Sequence, residues 1–284
     1  MHFSDAEYTG RFDDIDSVAA AFKGCYGVFV NTNTFAVGQQ TEIYAAIKMF
    51  EQAHRTASMK HFLGNFDEKY KSIHFDSKAV VAEFLKNQAS AGDGNSLTWT
   101  IVTTGPYLEN LSVSLLGPLT ERENGAVVWA TPAGDGRIPA ISVEDIGWWA
   151  RYTFDHRSET SGQELKIATE FMTVDELVEK FTRATGIPAV RKRMSVEDYL
   201  KLYPAHFNRP IVKVQPDGPT VGETFAGMWR VWSDDLVSRD MDWIRRTHPT
   251  GYTLERYIKE KGFDGKLSLM NFEFLKNSEQ GREV

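Results

Sequence analysis

The chain has 284 residues, 42% of them hydrophobic and 25% charged, with a net charge of -7. Those values belong to globular proteins, and the length suits one large domain or two intimate ones. The acidic balance excludes a general nucleic-acid or membrane-surface binder, because both need a basic face to displace counterions or meet anionic lipid.

No Gly/Ser or Pro-rich linker and no internal repeat marks a boundary. No apolar run approaches the ~20 residues of a membrane span. The first residues, Met1-His2-Phe3-Ser4-Asp5, lack the basic-then-apolar pattern of a signal peptide. A single cysteine, Cys25, excludes an intrachain disulfide and fits a reducing compartment, the cytoplasm and with it the nucleus. Placed just before Val28, it reads as a buried small side chain. No His/Cys cluster has zinc-ligand spacing, so no metal is expected. Arg191-Lys192-Arg193 reads as a solvated loop.

In chain order, Gly27-Val28-Phe29-Val30-Asn31 is a short apolar run ending in polar residues, which predicts a buried strand opening into a loop. Glu42 to Ala57 carries Ile43, Ala46, Ile47 and Phe50 at helical spacing. Met59 to Leu63 is a further strand candidate. Ser77 to Lys86 places Val80, Val81, Phe84 and Leu85 on one face of a second helix. Leu97 to Thr103 is β-branched and aromatic, a strand stopped by Gly105-Pro106. This alternation predicts a parallel sheet covered on both faces, with ligands beyond the C-terminal strand ends. That rule points to Asn31–Phe35, to the segment after Leu63 and to Gly105–Asn110.

The second half reads as mostly helical. Helix starts are predicted at Ser142-Val143-Glu144-Asp145, Thr173-Val174-Asp175-Glu176 and Ser195-Val196-Glu197-Asp198. Leu165–Ala168 reads as a strand, and Thr253–Lys261 as a helix stopped by Gly262. The expected division is residues 1–150 as a sheet domain and 151–284 as a lobe packed intimately on it.

Five segments, taken together and in order, resemble the NmrA-like family of atypical short-chain dehydrogenase/reductases. They are Tyr8 to Ser17, Ala21 to Phe29, His74-Phe75-Asp76-Ser77-Lys78 with the helix after it, Trp99 to Leu111, and Met194-Ser195-Val196-Glu197-Asp198-Tyr199. The resemblance covers nearly the whole chain and lies nearer the family's redox-sensor branch than its isoflavone-reductase branch.

The resemblance implies an α/β, Rossmann-like fold that holds NADP or NAD. Arg11 and Phe12 would lie near the adenosine. Thr32, Asn33 and Thr34 would approach the nicotinamide side, Lys78 would bond the nicotinamide ribose, and Tyr107, Leu108, Glu109 and Asn110 would close over the nicotinamide. His74 stands four residues before Lys78, where ordinary short-chain dehydrogenases carry a proton-donating tyrosine. Imidazole can donate a proton, but His74 can equally cap or pack a helix start. A lysine on an amphipathic helix is also commonly just solvated. The Trp148-Trp149 pair reads as packing, and Phe66, Tyr70, Phe207 and Trp229 fit a pocket lining or a core equally well.

Dinucleotide folds seat the pyrophosphate on a Gly-rich turn after the first strand. No such motif precedes the first matched segment, so the expectation is a sheet lacking its first βαβ unit, through an internal start or a genuine loss. Three functions stay open: reduction of a small, partly apolar molecule with NAD(P)H, a non-catalytic NADP(H) sensor that binds a regulatory protein, or a cofactor-free interaction module.

Overall fold

The computed structural model describes residues 10–22, 25–54, 68–90, 97–212 and 215–267. The strand expected over Met59–Leu63, the segment after it, and Tyr8, Thr9 and Phe66 lie outside the described residues.

The first part is helical: α1 (Ile15–Phe22), a single turn α2 (Thr34–Val37), α3 (Gln39–His54) and α4 (Ile73–Lys86). Three short ladders follow. Strand β1 (Ile101–Thr103) runs parallel to β4 (Glu164–Lys166), with Val102 opposite Leu165. Strand β2 (Val127–Trp129) runs parallel to β6 (Ala189–Arg191), and β3 (Ile138–Ala140) antiparallel to β5 (Glu170–Met172). Every residue of β2 and β3 is buried, the pattern of strands covered on both faces. Each ladder joins a strand before residue 150 to one after it, so the two halves share their sheets.

Helices α5 (Val143–Asp155), the turn α6 (Arg157–Thr160), α7 (Val174–Thr185), α8 (Val196–Leu202), the turn α9 (Pro204–Phe207), α10 (Val221–Ser233), α11 (Met241–Thr247) and α12 (Leu254–Lys261) pack around these ladders. Their starts follow local chemistry. Ser142 accepts from the Asp145 amide at 3.0 Å and Ser195 from Asp198 at 3.1 Å, while Thr173–Glu176 and Thr220–Glu223 close full capping boxes. Gly186 and Gly262 end α7 and α12 in the left-handed conformation that glycine adopts without a Cβ clash.

The main core joins Leu108, Trp129, Phe181, Tyr199, Trp229 and Trp232, all at most 1% exposed. A second cluster centres on Trp149, and a small third one packs Val18, Ala46 and Met49 with Phe12, Phe22 and Val81. Trp148 stacks flat on His248 at 3.8 Å, so the tryptophan pair packs as expected. Phe207 and Trp229 are core residues.

Four sequence expectations need correction. Val28, Phe29 and Val30 are not in a strand but exposed, 36%, 51% and 44%; no described strand takes their backbone hydrogen bonds, and without a partner an extended run forms no ladder. Cys25 beside them is exposed, its thiol 3.2 Å from the Ala21 carbonyl. Arg191 lies on β6 rather than in a solvated loop, with a buried side chain paired to Asp135 and Asp175. Helix α3 buries Glu42, Ala45, Ala46 and Met49, a stripe offset from the one predicted.

Candidate functional site

The site forms where α2, α3 and α4 meet. Asn33 is the N-cap of α2: its side-chain oxygen accepts from the Phe35 amide at 3.1 Å. That cap starts the turn that carries Thr34, and Gly38, at φ 81°, passes the chain straight into α3. Glu42 then lies in the first turn of α3, 1% exposed.

Three helices converge on this one carboxylate. Lys78 of α4 donates to Oε1 at 2.9 Å, and Thr34 and Ser77 both donate to Oε2. The Thr34 and Ser77 hydroxyl oxygens are 3.0 Å apart, and Thr32 also helps to lower the Glu42 pKa. Burial pushes the Glu42 carboxyl up, yet the Lys78 charge and the hydroxyl donors together outweigh it and hold its pKa below the ordinary value. The pair is asymmetric: the Glu42 side chain is 1% exposed and that of Lys78 47%. The anion is sealed behind, and the ammonium stands at the surface.

Thr32, Thr34 and Lys78, predicted separately from sequence, are thus brought into one cluster. Glu42 and Ser77 went unpredicted. For Glu42 a signal was present, since it lies on the same stripe of α3 as buried Ala45, Ala46 and Met49, and an acid on an apolar stripe requires a partner.

His74 is in the first turn of α4, with Nδ1 3.2 Å from the Ser72 hydroxyl. Its ring packs against Phe75, Phe35 and Phe225 at centroid distances of 4.4, 5.4 and 5.7 Å. Asp76, in the same turn, accepts from the Ser72 amide at 3.1 Å; burial raises its pKa.

Arg11 and Phe12 lie at the foot of α1. Arg11 makes a two-pronged pair with Asp13, at 2.9 and 2.8 Å, and Phe12 packs against the Val18–Ala46–Met49 cluster. The Tyr107–Asn110 run divides. Tyr107 is 36% exposed and bridges to Ile141, whereas Leu108 is fully buried in the main core and Asn110 is buried. Glu109 turns toward α5, accepting from the Val143 amide at 3.3 Å; burial raises its pKa. Among the described residues, no group of three or more His, Cys, Asp or Glu could hold a metal ion, and no helix is long and apolar enough to cross a membrane.

The sequence profile of the NmrA-like family matches residues 8–216. An NmrA-like family domain-containing oxidoreductase of Aspergillus hancockii is 26% identical over 61% of this chain and 56% of its own. The chain spans about half the length of the curated relatives it matches. Among solved structures, a nucleoside-diphosphate-sugar epimerase of Staphylococcus aureus superposes with a TM-score of 0.60 at 15% identity, covering 88% of this chain and 81% of that one. NmrA, a negative transcriptional regulator solved with NAD, superposes with a TM-score of 0.59 at 17% identity, covering 97% of this chain and 83% of its own. The fold is therefore the Rossmann-like α/β class of those proteins. With the profile match spanning well over half of the sequence, the chain belongs to the NmrA-like family.

Proposed function

We propose that this chain is an NAD(P)H-dependent oxidoreductase of a small, partly apolar molecule, with Lys78 as its ribose-binding group. The observation that carries this reading is the half-exposed Lys78 ammonium seated on buried Glu42 beside Thr32 and Thr34. The residues suit the nicotinamide-ribose half of the cofactor: an ammonium has three N–H donors, Glu42 takes one, and two remain for a pair of vicinal hydroxyls. Curated relatives named as oxidoreductases, and fold neighbours solved with NAD or NADPH, support it.

A bound dihydronicotinamide supplies a hydride from its C4. The chain's own part is to bind and orient. Lys78 holds the ribose, Asn33 fixes the turn that aims Thr34, and exposed Tyr107 offers a ring beyond the end of β1. Proton delivery to the reduced substrate falls to His74 or to water.

The packing of His74 among Phe35, Phe75 and Phe225 favours a second reading, a non-catalytic NADP(H) sensor that binds a regulatory protein. Both readings place the protein in the cytoplasm or the nucleus.

Titration with NADPH and NADH, followed by fluorescence or calorimetry, tests both. Saturable binding that falls sharply in Lys78→Ala supports the cofactor site; no binding overturns both readings and leaves a cofactor-free interaction module. Turnover of a carbonyl or enone compound with NADPH then excludes the pure sensor.

A further inference from the structure

We infer that Glu42 is a positioning residue, a sealed carboxylate that fixes where the Lys78 ammonium points and so prepares it for a vicinal diol. The inference rests on Lys78 as the ribose-binding group and deepens that reading. Glu42 cannot itself meet a ligand, because its side chain is 1% exposed. It can act only through what it holds, and at the surface it holds Lys78.

The physical case rests on flexibility and on charge. A lysine side chain carries about 2 kcal/mol of rotamer entropy, so an unguided ammonium on the face of α4 would meet a hydroxyl pair only at the cost of being ordered. The bond to Glu42 Oε1, 2.9 Å long and spanning from α3 to α4, orders Lys78 before any ligand arrives. An isolated buried carboxylate would take up a proton and lose this hold. Here Thr34 and Ser77 donate to Oε2, so Oε1 stays available to the ammonium. Ser77 is itself fixed by burial on α4, at 0% exposure. Thr34 is fixed by the turn that Asn33 caps. The hydroxyls therefore set the carboxylate, and the carboxylate sets the lysine.

A carboxylate that merely bridges two helices would also cost stability when removed, so stability alone decides nothing. The decisive measurement is a double-mutant cycle on NADPH affinity, using the full chain as wild type, Glu42→Gln, Lys78→Ala and the double variant. Glu42→Gln keeps the shape but drops the charge and turns one of the two acceptor oxygens into a donor. It is expected to weaken NADPH binding about tenfold, with the double variant no weaker than Lys78→Ala alone, because Glu42 has nothing to position once Lys78 is gone. Glu42→Asp keeps the charge but withdraws it by one methylene, and is expected to fall between wild type and Glu42→Gln; it also serves if Glu42→Gln fails to fold. Wild-type affinity in Glu42→Gln, or in Glu42→Asp where Glu42→Gln does not fold, or losses that multiply in the double variant, would overturn the inference while leaving the ribose role of Lys78 intact. A wild-type chain that does not bind NADPH removes both together.

Discussion

Gly227 of α10 and the backbone carbonyl of Lys71 approach so closely that a methyl group on Gly227 would overlap that oxygen. Lys71 sits two residues before α4, so this approach seats the start of the helix that carries His74 and Lys78. Gly227→Ala is therefore expected to destabilise the chain. An exposed helical Gly→Ala change gains about 1 kcal/mol from propensity, but overpacking against a rigid backbone oxygen costs typically ~1–3 kcal/mol, and here the clash wins. Gly147→Ala in α5 is the matched control. Among the described residues nothing beyond its own helix lies within 4 Å of its added methyl, so it should raise the urea midpoint where Gly227→Ala lowers it. Equal shifts in the two variants would contradict this account.

His206, buried on α9, has its pKa pushed down from 6.5 to about 4, first by burial and then by the Arg209 charge. The folded state thus prefers the neutral ring. Above the unfolded value both states are neutral and the stability is complete; as pH falls from 6.5 toward 4 the unfolded chain takes up the proton first and stability is lost. The loss from this group is at most about 3 kcal/mol. His248, its pKa also lowered by burial despite Asp145 at 3.1 Å, acts in the same direction. Urea unfolding at pH 7 and pH 4.5 should give a clearly smaller pH loss in His206→Gln. An unchanged loss would assign the acid sensitivity to other groups.

Four helix starts of the second half were the most legible part of the sequence, because capping is local: Ser142, Thr173, Ser195 and Thr253 each bond an amide three residues on, whereas α10, with its own Thr220–Glu223 box, and α11 went unpredicted. Strands were less so. The signals for β2, β3, β5 and β6 are runs of three residues, too short for periodicity to speak, and their pairing depends on partners far along the chain. The apolar run Val28–Val30 misled for the complementary reason, since hydrophobicity alone supplies no partner. In the candidate site, the family pattern named Lys78 and Thr34, which the structure brings together on Glu42. For Glu42 the stripe signals only burial; its partner comes from α3 meeting α4 and joining residues 36 apart, which no local pattern shows.

Glu109 offers a test in the opposite direction of pH. Among the described residues its Oε2 is buried without a close hydrogen-bond partner, while Oε1 accepts from the Val143 amide at 3.3 Å; burial outweighs the help of that amide, of Tyr257 and of the Lys261 charge. Burial raises its pKa, so the fold favours the protonated carboxyl, and stability is lost as pH rises from the ordinary carboxylate value through the raised one. Glu109→Gln keeps the acceptor for Val143 and cannot ionise. It is expected to be more stable than wild type by about 1 kcal/mol at pH 7 and equal to it at pH 4. Thermal melts at the two pH values decide the matter, and a variant less stable at pH 7 would mean that the ionised carboxylate has a partner worth keeping.

The run after β1 should split between neighbours. Leu108 is fully buried and belongs to the main core, whereas Tyr107 is 36% exposed. Leu108→Ala removes apolar volume from a packed interior that can relax only in part, at an expected cost of about 2–5 kcal/mol. Tyr107→Ala removes a ring with one face in solvent and should cost under about 1 kcal/mol. Cofactor affinity is expected to divide the other way. If Tyr107 lies against a bound nicotinamide, Tyr107→Ala weakens NADPH binding several-fold at nearly unchanged stability, and Leu108→Ala changes affinity only in proportion to the unfolded fraction. Urea unfolding paired with NADPH titration of both variants separates the two. A Tyr107→Ala chain that binds NADPH as wild type does would leave Lys78 without this aromatic neighbour as a fellow contact, and would confine the cofactor-facing part of the site to the junction of α2, α3 and α4.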